Sequence, residues 1–207
     1  MRRLLFFFVT ISVLGISCQK SPDFDQLSAN FIVATNLDPK TNFGNYKTYY
    51  ISDTIAVATT NPNDSLWFDA KAKQLVDAVK QNMASRGFQF VPKGANPSLG
   101  INMIAVKNVS IGVVYPGWGW GYGGYWDPWY WGWYYPYYYP WSVAYSVTTG
   151  TVAFDVLDLK NVSADHKLTI VWTSVMGGAL GLTSDDIANG VNSINQAFTQ
   201  SPTVKTN

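Results

Sequence analysis

Residues 115–141 hold seven Trp, nine Tyr, six Gly, four Pro and Asp127, and nothing else. Pro116, Pro128, Pro136 and Pro140 forbid a continuous helix, and the interleaved glycines and prolines break any regular strand. The fold must therefore be assembled from the sequence on either side, with this stretch as an aromatic insert. Trp and Tyr offer large flat apolar faces with one hydrogen-bonding edge at low rotamer cost. Such a surface, left bare, exceeds the few hundred Å² of apolar patch that an ordinary monomer exposes. It can lie at a bilayer interface, self-associate or meet another protein, stack on sugar rings, fold back over its own sheet, or remain a low-complexity loop. Trp118, Trp120, Trp126, Trp129, Trp131, Trp133 and Trp141 are the candidate binding residues. A membrane partner, a protein partner and a glycan all fit their chemistry, and a glycan-binding module is the alternative reading of the whole chain.

The N-terminus has the character of a targeting segment. Met1-Arg2-Arg3 is cationic, and Leu4 to Ile16 is an apolar run of 13 residues. That run is too short to span a hydrocarbon core of ~30 Å as a helix and suits a signal-peptide core. It ends in Gly15-Ile16-Ser17-Cys18, which resembles a bacterial lipobox of the relaxed kind found in Bacteroidetes, with Leu14 one place further from the cysteine than usual. Cys18 is the only cysteine, so an exported chain has no disulfide framework and its thiol is the expected lipidation site. Residues 1–17 are then a signal peptide, 18–30 a tether, and 31–202 a single domain. Gln19 after the anchor, in place of Asp, fits transfer to the outer membrane. The expected location is the cell envelope, on its periplasmic or surface side.

Loss of Arg2 and Arg3 with the leader takes the net charge from +1 to −1, with 12 Lys and Arg facing 13 Asp and no Glu. Arg86 is then the sole arginine, and nothing could neutralise a row of phosphates, which argues against a nucleic-acid partner.

Hydrophobic spacing predicts the elements. Phe31–Asn36 and Tyr46–Ser52 read as strands around the turn Leu37–Lys40. Asp64–Arg86 reads as a helix whose apolar stripe is Phe68, Ala72, Leu75, Val76, Val79 and Met83. Asp64 or Ser65 is its expected cap, Gly87 its stop, and Asp69 pairs with Lys73. Phe88–Val91 and Leu99–Ile111 read as strands. A change of side-chain parity between Val147 and Val152 suggests a β-bulge near Gly150. Leu168, Ile170 and Trp172 alternate in a strand that pairs with 152–158 as a hairpin through 160–167. A last helix begins at Thr183 or Ser184, carries Ile187, Val191, Ile194 and Phe198, and stops before Pro202. Two helices and five or six strands define an α+β two-layer sandwich with an antiparallel or mixed sheet.

Catalytic patterns are sparse. His166 is the lone histidine, in a polar loop, and no nucleophile elbow accompanies it. One His and a lipidated Cys do not make a transition-metal site, and no phosphate, dinucleotide or calcium loop occurs, so no metal and no cofactor are expected. Asp155 and Asp158, three apart, do not share a clean strand face. The chain reads as noncatalytic, with an Asp-dependent hydrolase as the minority reading. Asp53-Thr54-Ile55 and Asp64-Ser65-Leu66 look like short O-glycosylation acceptors, though turn and cap roles explain them too.

In order along the chain come Asp38-Pro39, Phe43, Tyr46-Lys47-Thr48-Tyr49, Arg86-Gly87-Phe88, Asn96-Pro97, Phe154-Asp155 to Asp158, Val171-Trp172, and Phe198 to Pro202. In this the chain resembles the bacterial lipoprotein family called domain of unknown function 4136, over most of 31–202. Ser98 stands where an Asp is common, and Thr173-Ser174 where Arg-Gly is usual. The resemblance implies an envelope lipoprotein with an α+β fold, a Gly/Trp/Tyr-rich stretch at 115–141 and no assigned activity.

Overall fold

The computed structural model describes residues 32–58, 66–107, 111–114, 137–138, 145–147, 150–162, 168–180 and 187–206. Its frame is a mixed sheet. Strand β1 (Ile32–Leu37) runs antiparallel to β11 (Leu168–Gly177), which pairs antiparallel with β10 (Val152–Asp158). β10 is antiparallel to β6 (Leu99–Val106), and β6 is parallel to β2 (Thr48–Ile51) and then to β3 (Ile55–Ala58). Two-residue strands extend this frame: β5 (Gln89–Phe90) beside β2, β4 (Leu66–Trp67) beside β3, and β8 (Tyr137–Tyr138) beside β11. Among the described residues the sheet thus has nine strands, more than the five or six expected.

The surplus has a physical origin. Tyr49 lies opposite Leu99 and Ile51 opposite Ile101, but Ala56 lies opposite Ile104. The segment carrying β2 and β3 therefore has two more residues than β6 between those pairings. They are absorbed at Ser52–Thr54, which splits one strand into β2 and β3. Asp53 in that kink pairs with Lys80, and the Thr54 amide donates to Ser52 Oγ at 3.1 Å, so the Asp-Thr-Ile triplet has the turn role foreseen for it.

The other correction concerns the first helix. Helix α1 spans Ala70–Ser85, not 64–86. Asp69 is its N-cap, accepting from the Lys71 amide at 2.8 Å and the Ala72 amide at 2.9 Å. Upstream, Leu66-Trp67 is strand, so alternation buries Trp67 and leaves Phe68 74% exposed rather than on the helix stripe. With Asp69 committed to the cap, Lys73 pairs instead with Asp77 at 2.7 Å. The rest of the stripe is buried as read, and Gly87 at φ +85° ends the helix. α1 is the crossover that parallel pairing of β2 and β3 with β6 requires.

Helix α2 spans Ile187–Gln200, and its foreseen start at 183–184 lies outside the described residues. Gly190 has a purpose: a Cβ there would sit 2.7 Å from Leu75 Cδ2 and 3.2 Å from Leu180 Cδ2. The glycine lets α2 approach α1 closely. Below them Phe154, Trp172 and Phe198 form the centre of the core, with Phe154–Trp172 centroids 4.8 Å apart and Trp172–Phe198 4.7 Å. Arg86 joins the helix ends, donating to the Phe198 carbonyl at 2.8 Å and lying over its ring.

Candidate functional site

The strongest clue is burial on the sheet face away from the helices. Phe154, Val156, Ile101, Met103, Trp172 and Met176 alternate onto the first face, where they belong to one cluster with α1 and α2. Alternation sends their neighbours the other way. Yet β6 and β10 are buried at every position, the signature of strands covered on both sides. On the second face Ile104, Ala153, Leu157, Leu168, Ile170 and Val175 are 0–6% exposed, although both helices lie opposite.

Across the middle of that second face runs a polar row. Asn36 pairs with Thr173, Thr173 with Asp155, and Asp155 with Asn102 in the four adjacent strands. Asn102, Asp155 and Thr173 are all buried, and Thr173 Oγ1 donates to Asp155 Oδ1. Sequence reasoning missed Asn102 and Thr173. The available signal was the polar interruption of each apolar run, Asn102 in LGINMIAV and Thr173-Ser174 in IVWTSVM.

Asp158 is on the opposite parity from Asp155, so the two carboxylates are not brought together. Its role is structural. Asp158 Oδ2 accepts from the Tyr46 hydroxyl and from Asn161 Nδ2, each at 2.8 Å. Oδ1 accepts from the Lys160 and Asn161 amides, each at 2.9 Å. Burial first, then the adjacent Asp158, pushes the Tyr46 hydroxyl well above the ordinary tyrosine range. Nearby, Ser98 Oγ donates to the Thr48 carbonyl at 2.7 Å and accepts from the Thr48 amide, clasping β2 to the start of β6.

The aromatic stretch enters and leaves through described elements. Strand β7 (Ile111–Val114) pairs antiparallel with β9 (Tyr145–Val147) in a separate two-stranded ladder, and β9 lies against β11. Tyr137–Tyr138, inside the stretch, pairs parallel to Leu168–Thr169. The parity change that suggested a bulge near Gly150 is therefore a change of sheet. Gly150, at φ +85°, donates to the Val106 carbonyl at 2.9 Å, and the ladder irregularity falls instead between Val156 and Leu157. Cys18, His166, Trp118, Trp120, Trp126, Trp129, Trp131, Trp133 and Trp141 lie outside the described residues, as do 1–17 and the tether 18–30.

Among the described residues no group of three or more His, Cys, Asp or Glu could hold a metal, and no helix is long and apolar enough to cross a membrane.

A mixed sheet carrying two helices on one face, with a buried second face, defines an α+β sandwich-like domain. A family model, Domain of unknown function (DUF4136), matches residues 33–203, and the chain belongs to that family. It is similar to the crystal structure of a DUF4136 family protein from Bacteroides thetaiotaomicron, at 31% identity and a TM-score of 0.73, covering 85% of this chain and 98% of that one. More distantly, it is similar to the PelC dodecamer from Paraburkholderia phytofirmans, at 14% identity and a TM-score of 0.40, covering 86% of this chain and 99% of that one. A PDZ domain protein from Parabacteroides distasonis matches at 12% identity and a TM-score of 0.44, covering 84% of this chain and 36% of that one. No curated protein matches the chain.

Proposed function

We propose that this chain is a noncatalytic, lipid-anchored protein of the cell envelope, held to the outer membrane through Cys18, with its aromatic stretch as the contact surface for membrane, partner or its own body. The observation that carries the reading is the 13-residue apolar run ending in Gly15-Ile16-Ser17-Cys18, with the chain's only thiol at its end. Thirteen residues form a signal-peptide core rather than a span. Two or more acyl chains give stable anchoring, each buried methylene contributing about 0.8 kcal/mol. The separation of Asp155 and Asp158 onto opposite faces supports the noncatalytic part, since a paired-carboxylate hydrolase needs its acids roughly 5 to 9.5 Å apart across one cleft.

Density fractionation of envelopes from cells producing the wild-type chain or Cys18→Ser tests it. The wild type should band with the outer membrane. Cys18→Ser should retain residues 1–17, visible as added mass, and stay with the inner membrane. Identical mass and distribution for the two chains would overturn the reading.

A further inference from the structure

We infer that the outer edge of β1, together with the adjoining flank of α2, is the surface on which a second copy of this chain docks, strand to strand about a twofold axis. This goes beyond the proposed function and does not depend on it.

The two edges of the sheet are built differently. At one, β2 and β3 are followed outward only by the two-residue strands β5 and β4. Pro92 and Lys93 come straight after β5, and the Asp53–Lys80 pair sits at the kink. Short strands, proline and charge are the features by which a sheet refuses further pairing. At the other edge β1 keeps unbroken register with β11 over six residues, without proline, charge or bulge. Among the described residues no strand pairs with its outer side, and Ile32 is 48% exposed. The Asp38 amide donates to the Val171 carbonyl on β11, so alternation turns the amides and carbonyls of Val33, Thr35 and Leu37 outward.

Charge says what fits there. Ile32–Leu37 and residues 187–204 hold no charged side chain, whereas α1 carries Lys71, Lys73, Asp77 and Lys80. The outer side of α2 is Asn192, Gln196, Thr199 and Gln200, all exposed. Depletion of charge marks the core of an interface, and a neutral surface offers nothing to a charged partner. Each group on this flank is its own complement. A strand edge pairs with a strand edge, aliphatic with aliphatic, and an amide both donates and accepts. The same surface on a second copy therefore satisfies it, which is the property a twofold contact requires.

The spacing agrees. With Thr35 on the axis, it exchanges two hydrogen bonds with Thr35 of the partner subunit, and Val33 lies opposite Leu37 of the partner subunit on the helix side. α2 packs over both β1 and β11. Strands lie about 4.8 Å apart, so α2 is one strand spacing from the axis and the two α2 helices come about 9.6 Å apart, within the range of packed helices. Asn195 faces α1 through Asn82, and helical spacing turns Gln196 and Gln200 to the flank away from α1, toward that contact.

Sedimentation equilibrium of the full-length, membrane-extracted chain tests this, in detergent present in large excess so that two anchors do not share a micelle. The wild type should be a dimer that dissociates on dilution. Thr35→Pro keeps the ladder to β11, because the Thr35 amide points outward, and removes both hydrogen bonds on the axis. It should raise the dissociation constant about tenfold or more. Lys73→Gln, on the exposed side of α1, should leave it unchanged. A wild type that is monomeric at every concentration, a dimer indifferent to Thr35→Pro, or one weakened equally by Lys73→Gln overturns the inference. Should Thr35→Pro unfold the domain, shown by far-UV circular dichroism, the double variant Gln196→Lys, Gln200→Lys decides, since both side chains are exposed. Like charges gathered at the axis should weaken the dimer by a similar factor, and an unmoved dimer overturns the inference. Hydrogen exchange separates a second copy from a segment of the same chain. The Val33, Thr35 and Leu37 amides should be protected in the dimer and exchange rapidly in the monomer; protection that persists after dilution overturns the inference.

Discussion

The Tyr46 hydroxyl donates to Asp158 Oδ2 at 2.8 Å, joining residues 112 apart in sequence across the end of the sheet. Both groups are buried, and Asp158 also gathers the Lys160 and Asn161 amides. Two of the motifs that carry the family resemblance thus meet in one network. Tyr46→Phe should cost about 1–2 kcal/mol, since it deletes one of several donors to a carboxylate. Asp158→Ala should cost more, about 2–4 kcal/mol, because it leaves a buried hydroxyl and two loop amides without their acceptor. In the Asp158→Ala background, Tyr46→Phe should add little. Urea denaturation of the four chains checks this coupling; strict additivity would contradict it.

Alkaline pH should expose the same arrangement. Burial raises Tyr49 from 10.0 to about 12 and raises Tyr46 further. In the unfolded chain both titrate near 10. A folded-state pKa above the unfolded one means the unfolded chain releases protons first. The stabilisation is complete below pH 10 and is lost as pH climbs toward the folded values. Stability should be flat through pH 9 and then decline by up to about 1.4 kcal/mol per pH unit for each tyrosine. Tyr49→Phe should reduce that slope. A slope unchanged by Tyr49→Phe would contradict the assignment.

At the helix contact, Gly190→Ala should destabilise by about 1–3 kcal/mol despite the better helix propensity of Ala, because the new methyl meets Leu75 at 2.7 Å in a closed core. With Leu75→Ala already in place the 2.7 Å contact is gone, and Leu180 Cδ2, at 3.2 Å, has vacated space to shift into. Gly190→Ala should then be neutral or stabilising by up to about 1 kcal/mol, its intrinsic helix preference. Thermal unfolding of the cycle checks this reversal of sign.

Capping by Asp69 makes a separate prediction for acid. Amides at the helix start, Ala72 foremost, hold its carboxyl below the usual carboxylate value. Its stabilising effect is present above the unfolded pKa and fades as pH falls through the folded one. Asp69→Ala should cost about 0.5–2 kcal/mol at neutral pH, and Asp69→Asn much less, because an amide oxygen also caps. Hydrogen exchange of the first turn of α1 reads the difference. Equal effects of the two substitutions would contradict the cap.

The two described helices, the mixed sheet and the hairpin between β10 and β11 were legible in the sequence because apolar residues recur at regular spacing through the longer elements. Gly87 was legible as well, since a helix stop demands a left-handed residue there. Elements of two residues were not. Trp67 and Phe68 fit a helical stripe as well as a strand, and only the amides taken by Asp69 decide between them. Ser52–Thr54 hides its kink because two extra residues between paired positions leave no periodic trace. The double burial of β6 and β10 leaves its trace as apolar residues on both parities, interrupted by Asn102, Asp155 and Asp158, but such a run alone does not say what lies above it. Asp155 could be found as an acid in a strand, while its row with Asn102 and Thr173 depends on cross-strand register, which only the paired sheet supplies.

Mass spectrometry of the N-terminal peptide from the native, membrane-extracted protein tests the anchoring claim most directly. The account predicts a mature chain beginning at Cys18, with a diacylglyceryl group in thioether linkage on Sγ. A chain beginning at any other residue, or one whose Cys18 thiol is unmodified, would contradict it.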